Sequence, residues 1–193
     1  EGDNVVTRSS RSPWYQGPTL MELLETVDIT KDIGMTEFRM PVQYVNRPNL
    51  DYRGFAGTIA SGCVSVGDEI ITLPSGKSSK VKSIDTFDGQ LNSASAPLAI
   101  TITLEDEIDS SRGDILVHKD AQPCLSDRLI ANVVWMAEQE LTPHQEYYIK
   151  FATKFTTGGV STIKHKINVN TLAHEEAAAL TLNEIAECEI RLN

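Results

Sequence analysis

Between Phe55 and Ile70 the sequence reads "FAGTIASGCVSVGDEI", with glycine at every fifth position: Gly57, Gly62 and Gly67. The residues between them include Thr, Ile and Val, which suit a pleated, half-buried strand. A flat sheet gains nothing from such regular interruption. A sheet that curls until its edges meet must turn corners, and at a corner or bulge a residue without a Cβ avoids a clash that other side chains would make. The spacing therefore predicts a small barrel, in which alanine at a glycine of positive φ costs on the order of 1 kcal/mol or more.

Elsewhere the period of the apolar residues changes once. In "PTLMELLETV", Leu20, Leu23, Leu24 and Val27 follow the i, i+3, i+4, i+7 spacing of one helical face. Thr19 and Glu22 form a capping box, each oxygen placed to satisfy an orphan amide of the first turn. One short helix is predicted over Thr19 to Val27. Beyond it, short runs rich in Val, Ile, Thr, Phe and Tyr alternate with Gly, Pro, Asn and Asp, so the remainder is expected to be β. In "FRMPVQYV", Phe38, Met40, Val42 and Tyr44 share one face, and Pro41, which cannot donate to the ladder, suggests an edge or a bulge. "EIITLPSGKSSKVKSI" predicts a hairpin with Pro74 at the second and Gly76 at the fourth position of a type I turn. In "LAITITLEDEIDSSRGDILV", Ile100, Ile102 and Leu104 make one inward row before an acidic loop and a return strand. Ile149, Phe151 and Phe155 are expected to face Ile163, Ile167 and Val169 across a turn at Gly158-Gly159, and "LTLNEIAECEIRL" ends the chain on an alternating strand.

A length of 193 residues suits two small domains, and 40% hydrophobic residues can bury a real core. No apolar run approaches the roughly 20 residues that a membrane-spanning helix needs, so a cytoplasmic chain with no membrane partner is expected. The opening "EGDNVVTRSSRSPWY" has neither an initiating Met nor a signal peptide's apolar stretch, so the chain is expected to start inside a longer protein. Cys63, Cys124 and Cys188 form no CxxC pair, so buried free thiols in a reducing compartment are expected rather than a zinc cluster or disulfides. A net charge of -10 repels a phosphate backbone, and nucleic acid is therefore not an expected partner. Lys150, Lys154, Lys164 and Lys166 are the one local basic group that runs against this.

Several short motifs imitate chemistry. "SGKS" at Ser75 to Ser78 copies the tail of a phosphate-binding loop, but Ile71 stands where the first glycine belongs, inside a strand and not after one. It is expected to be a hairpin tip. No N-K-x-D guanine-reading motif occurs. "EDEID", with Glu105, Asp106, Glu107 and Asp109, offers oxygens for a hard cation but lacks the glycine and spacing of an EF-hand loop, so a solvated loop is expected. His118, His144 and His174 have no partner at metal spacing, and His165 lies between two lysines; structural or surface roles are expected for all four, with no metal site. No catalytic residues are assigned.

Gly57-Thr58-Ile59-Ala60-Ser61-Gly62, then Val64, Val66, Gly67-Asp68 and Ile70, resembles the second-domain barrel of translation-factor GTPases, and "SSRGDILV", carrying the Arg112 to Asp114 tripeptide, fits its return strand. "PWYQGPTLMELLETV", "MPVQYVNRPNLDYRGFAG", "VKSIDTFDG", "ITLEDEIDSSRGD", "VVWM" and "NVNTLAHEEAAALTLNEIA" resemble the large GTPase subunit of bacterial ATP sulfurylase, sulfate adenylyltransferase subunit 1, over essentially the whole chain. The resemblance implies an all-β chain of two small antiparallel barrels, of the elongation factor Tu domain 2 and domain 3 type. It implies that residues 1-30 are the tail and last helix of a GTP-binding domain, 37-119 one barrel, and 127-193 a second barrel with strands still to come. It further implies a catalytic small subunit as partner, with GTP and Mg bound in the missing GTP-binding domain and no cofactor in this segment. In that family GTP hydrolysis drives formation of adenosine 5'-phosphosulfate from ATP and sulfate.

The loop "NRPNLDYRG" is rich in groups that fix geometry: Pro48 restricts its neighbour, Asn49 and Asp51 can bond the backbone, and Arg53 can fork onto a carboxylate. Asn49, Asp51 and Arg53 are expected to contact the GTP-binding domain or the partner subunit. The alternative class is an elongation-factor fragment holding aminoacyl-tRNA; "YYIKFATKF" stands where such factors typically carry a His-Thr or Arg-Thr element. A kinase fused at the C-terminus of the parent is a third possibility that these residues do not test. Calorimetry on this segment is expected to show no saturable GTP binding; micromolar affinity would overturn the hairpin reading of "SGKS".

Overall fold

The computed structural model describes residues 2–27 and 37–193. Helix α1 (Leu20–Thr26) starts where the capping box places it. The Glu22 N–H donates to Thr19 Oγ1 at 3.2 Å, and the Thr19 N–H donates to the Glu22 carboxylate at 2.8 Å. The first-turn amides of Leu20 and Met21 donate to the carbonyls of Asn4 and Val5, so the preceding segment folds back to satisfy them. The expected apolar stripe of Leu20, Leu23, Leu24 and Val27 is not buried: each is between 47% and 61% exposed. The expected segment boundary at residue 30 lies outside the described residues.

The next nine strands are β1 (Arg39–Asn46), β2 (Gly54–Thr58), β3 (Cys63–Ser65), β4 (Glu69–Leu73), β5 (Lys77–Thr86), β6 (Gly89–Leu91), β7 (Ser93–Ser95), β8 (Ala99–Leu104) and β9 (Ile115–His118). Six of them pair antiparallel in the order β4-β9-β1-β2-β8-β5, and β5 pairs back onto β4, closing a barrel. Inside lie the rows read from the sequence: Phe38, Met40 and Val42 from the entry to β1, and Ile100, Ile102 and Leu104 from β8. The β3–β7 ribbon adds Val64 and Ala94 to the same core. Strand β6 continues the ladder beside the far half of β5, where β4 has ended.

Two local expectations are corrected here. Tyr44 is 64% exposed instead of sharing the inward face, because a bulge between Val42 and Tyr44 shifts the register and turns Val45 inward. Pro41 thus precedes a bulge in an interior strand rather than sitting at an edge. The β4–β5 hairpin exists, and "SGKS" lies at its tip, but the Gly76 N–H bonds a carbonyl four residues back and not that of Leu73, so the tip is not the expected type I turn. The Gly76 N–H closes it on the Thr72 carbonyl at 2.8 Å.

The second sheet contains β10 (Arg128–Val134), β11 (Tyr147–Phe151), β12 (Lys154–Ile167), β13 (His174–Glu175) and β14 (Ile185–Leu192). Its order is β10-β14-β12-β11, with β13 against the end of β12. Among the described residues it stays open, since β10 and β11 pair on one side only. The turn expected at Gly158-Gly159 lies elsewhere: both glycines are inside β12, and the chain reverses at Ala152-Thr153, between the paired residues Phe151 and Lys154. Phe151 and Phe155 are consequently exposed. A Cβ at Gly158 would meet the Arg191 carbonyl, so these glycines serve close strand approach and not reversal. Of the cysteines only Cys188 is buried, and burial raises its thiol pKa; Cys63 and Cys124 are exposed, against expectation.

Two members of the opening glycine repeat do different work. Gly62 has φ +70, and a Cβ there would stand 2.5 Å from the Phe38 backbone nitrogen, whereas at Gly67, φ +92, a Cβ would meet nothing. Alanine at Gly67 is expected to cost about 1 kcal/mol from backbone strain alone, and alanine at Gly62 about 2 kcal/mol or more. Urea midpoints of the two variants check this; equal losses would remove the close-packing role given to Gly62.

Candidate partner-contact site

The loop between β1 and β2 is built from its own sequence. Asn49 Oδ1 accepts the Asp51 N–H at 3.0 Å, an Asx turn that sets the loop and leaves Leu50 91% exposed. Tyr52 lies over Gly54, where a Cβ would collide with its ring, so only glycine lets the ring reach the barrel wall. There the Tyr52 hydroxyl donates to Asp85 Oδ2 on β5 at 2.9 Å. Asp85 also accepts from Gln90 Nε2 at 3.0 Å and faces Ser83 Oγ at 3.3 Å. Burial, reinforced by the Asp85 carboxylate, pushes the Tyr52 phenol up to about 12.

Arg53 lies 5.6 Å from the centroid of the Phe55 ring and 3.5 Å from Asp109. This is a single long ion pair in place of the expected fork, and the buried Arg53 Nε–H has no partner. Asp51 and Arg53 line one cleft of about 650 Å³, while Asn49 stays outside it and holds the turn. The cleft wall carries five carboxylates, Asp51, Asp85, Glu105, Asp106 and Glu107, against the cations Arg53 and Lys82. Such a lining repels phosphate and suits basic groups.

The acidic run that supplies part of this wall is fastened rather than freely solvated. Asp106 and Ser79 exchange two hydrogen bonds, Ser79 Oγ donating at 2.9 Å and accepting at 3.0 Å. Ile108 is buried in the barrel core. Asp109 meets Lys77 as well as Arg53, and hydrogen bonding to Lys77 lowers its carboxyl pKa. None of these ties was found by sequence reasoning, because each joins residues 27 or more positions apart. The only local signal was the density of turn-forming and charged residues at each end.

The remaining motifs resolve structurally. The four lysines do not form one basic patch: Lys164 pairs with Glu187, Lys166 with Glu184 and Glu175, and Lys150 lies 5.5 Å from the Phe155 ring centroid. His174, unpartnered by sequence spacing, stacks on His165 with centroids 3.8 Å apart, and His118 meets Asp68 at 3.2 Å. Among the described residues no group of three His, Cys, Asp or Glu side chains could hold a metal ion, and no helix is long and apolar enough to cross a membrane.

The phenol of Tyr52 has a sign that can be tested. Its folded pKa is raised from 10.0 to about 12, so the folded state favours the neutral form; this contribution is complete below pH 10 and is lost as pH rises through 12. Of the five tyrosines, one is expected to ionise late in an ultraviolet titration, and Tyr52→Phe removes that phase and flattens the loss of stability between pH 10 and 12. Identical profiles for both proteins would refute the Tyr52–Asp85 tie.

Comparison with known proteins agrees with this architecture. The GTP-eEF1A C-terminal domain-like family matches residues 128–193. Sup35 complexed with GDP superposes with a TM-score of 0.77 at 20% identity, over 99% of this chain and 48% of that one. Apo elongation factor SelB from Methanococcus maripaludis gives 0.65 at 24% identity, over 90% of this chain and 38% of that one. These neighbours define the fold: all-β, of the elongation factor Tu domain 2 and domain 3 type. Sulfate adenylyltransferase subunit 1 of Vibrio vulnificus strain CMCP6 is 58% identical over all 193 residues, and that of Teredinibacter turnerae 54% over 192. The chain spans about 40% of the length of the curated relatives it matches. Along its whole length the chain is similar to a stretch of sulfate adenylyltransferase subunit 1.

Proposed function

We propose that this chain is the β-barrel portion of the regulatory GTPase subunit of a cytoplasmic sulfate adenylyltransferase, a nucleotidyltransferase that forms adenosine 5'-phosphosulfate from ATP and sulfate. The observation that carries this reading is identity of 54% to 58% along the entire chain to proteins of that name. Residues 1-30 are the end of the GTP-binding domain, 37-119 the first barrel and 127-193 the second. The exposed apolar stripe of α1 supports the first assignment, since a helix with one apolar face ordinarily buries it against a neighbour.

GTP and magnesium belong to the parent's GTP-binding domain in this reading. The residues present do not fit a triphosphate: "SGKS" is a tip between antiparallel strands, and the Gly76 N–H is already committed to Thr72. The barrels act instead as a rigid body that passes the nucleotide state of that domain to a catalytic small subunit. Asn49, Asp51 and Arg53 form part of the contact, with Asn49 setting the loop and Asp51 and Arg53 facing the cleft. Asn49 thereby acts through the backbone and the other two through charge.

The full-length parent is expected to co-purify with the catalytic subunit and to raise its GTP-dependent output. Association with aminoacyl-tRNA but not with that subunit would replace this reading with the elongation-factor one. Asp51→Lys is expected to weaken the complex about tenfold, through like-charge contact with a basic partner surface, while leaving the melting temperature within a degree or two. An unaltered affinity would move the contact away from this loop.

A further inference from the structure

The hairpin of β5 and β6 carries at its two-residue tip a phenylalanine in full contact with solvent: Phe87 is 103% exposed. It is not a loose loop residue. Thr86 pairs with Gly89 across the tip, the Thr86 hydroxyl donates to the Gly89 carbonyl at 2.8 Å, and Gly89 takes φ +126. Gln90 Nε2 donates to Asp85 Oδ1 just below. The built turn holds the Phe87 backbone so that its side chain leaves the hairpin outward, and a backbone fixed in this way loses little further freedom on docking.

The tip is continuous with the loop already described. The Tyr52–Asp85 hydrogen bond joins the two, and both residues line the 650 Å³ cleft on one side and a second hollow of about 400 Å³, bordered by Phe87, on the other. The charge around them is predominantly negative: Asp88 is exposed beside Phe87, and Asp51, Glu105 and Glu107 line the neighbouring cleft, where Arg53 and Lys82 are the cations.

We infer that Phe87 is an anchor that inserts into an apolar pocket, rimmed by Lys or Arg, on the catalytic subunit that accompanies this protein. The inference rests on the proposed function for the existence of that subunit. It goes beyond it in naming the inserted residue and the chemistry of the receiving surface. Buried aromatic anchors with charged surroundings commonly dominate an interface, the aromatic setting the dissociation rate and the charges the association rate.

The test uses the full-length protein and its catalytic subunit, with affinity measured by calorimetry at low and high salt. Phe87→Ala is expected to weaken the complex about 30-fold and Phe87→Leu far less, both with the melting temperature of the free protein unchanged. Asp88→Lys is expected to weaken association and to reduce its salt dependence. If the wild-type protein does not bind the subunit, the proposed function falls and the inference with it. If the wild type binds and Phe87→Ala binds within about twofold of it, the inference alone is overturned. It is equally overturned if Phe87→Ala lowers the melting temperature of the free protein or abolishes self-association instead, since the ring would then pack against its own chain or a second copy.

Discussion

Closure of the first barrel depends on β4. This five-residue strand pairs with β9 on one side and with β5 on the other, and without it the other five strands would be an open sheet with two exposed edges. Its side chains are buried on both faces: Ile70 enters the barrel core, while Ile71 and Leu73 join Val117 in a separate cluster outside it. Polar contacts flank the same seam. Asp68 accepts the Ser65 N–H at 2.8 Å and meets His118, and Lys119 pairs with Glu69. Those outer pairs are half exposed, so the closure owes more to the ladder and to apolar burial than to charge.

A closed barrel fixes the register of every strand, and that fixes what its outer surface presents. Tyr52 finds Asp85 because β2, β8 and β5 are laid side by side with Ala56 opposite Thr101 and Thr101 opposite Asp85. The same register sends the β5–β6 hairpin past the end of β4, so its tip stands clear of the barrel. The loop after β1 and the hairpin after β5 come from distant parts of the chain, yet one hydrogen bond joins them.

Much of the barrel was legible in the sequence because strand period and corner glycine are local signals. The inward rows of β8 and the start of β1, the capping box of α1 and the hairpin nature of "SGKS" all follow from residues within a few positions of one another. The failures share a cause. Tyr44 left the inward face through a bulge, which no alternation pattern reveals, and Gly158-Gly159 resembled a turn because glycine signals both reversal and close approach. Only the neighbouring Arg191 carbonyl distinguishes the two uses. In the candidate site, Asn49 behaved as its sequence suggested, since an Asx turn is made with its own neighbours. Arg53 did not, since its partners Phe55 and Asp109 are arranged by the fold.

The sequence by itself determined the class of structure and the place of the helix start, because these depend on period and capping. The similarity to sulfate adenylyltransferase subunit 1 rests on the same one-dimensional information. Only the tertiary structure decided which carboxylate meets Tyr52 and Arg53, which lysines are neutralised by glutamates, and that Phe87 stands in solvent beside an acidic cleft. Those outcomes are set by pairings between residues tens of positions apart, and local preference along the chain does not encode the geometry of such pairs.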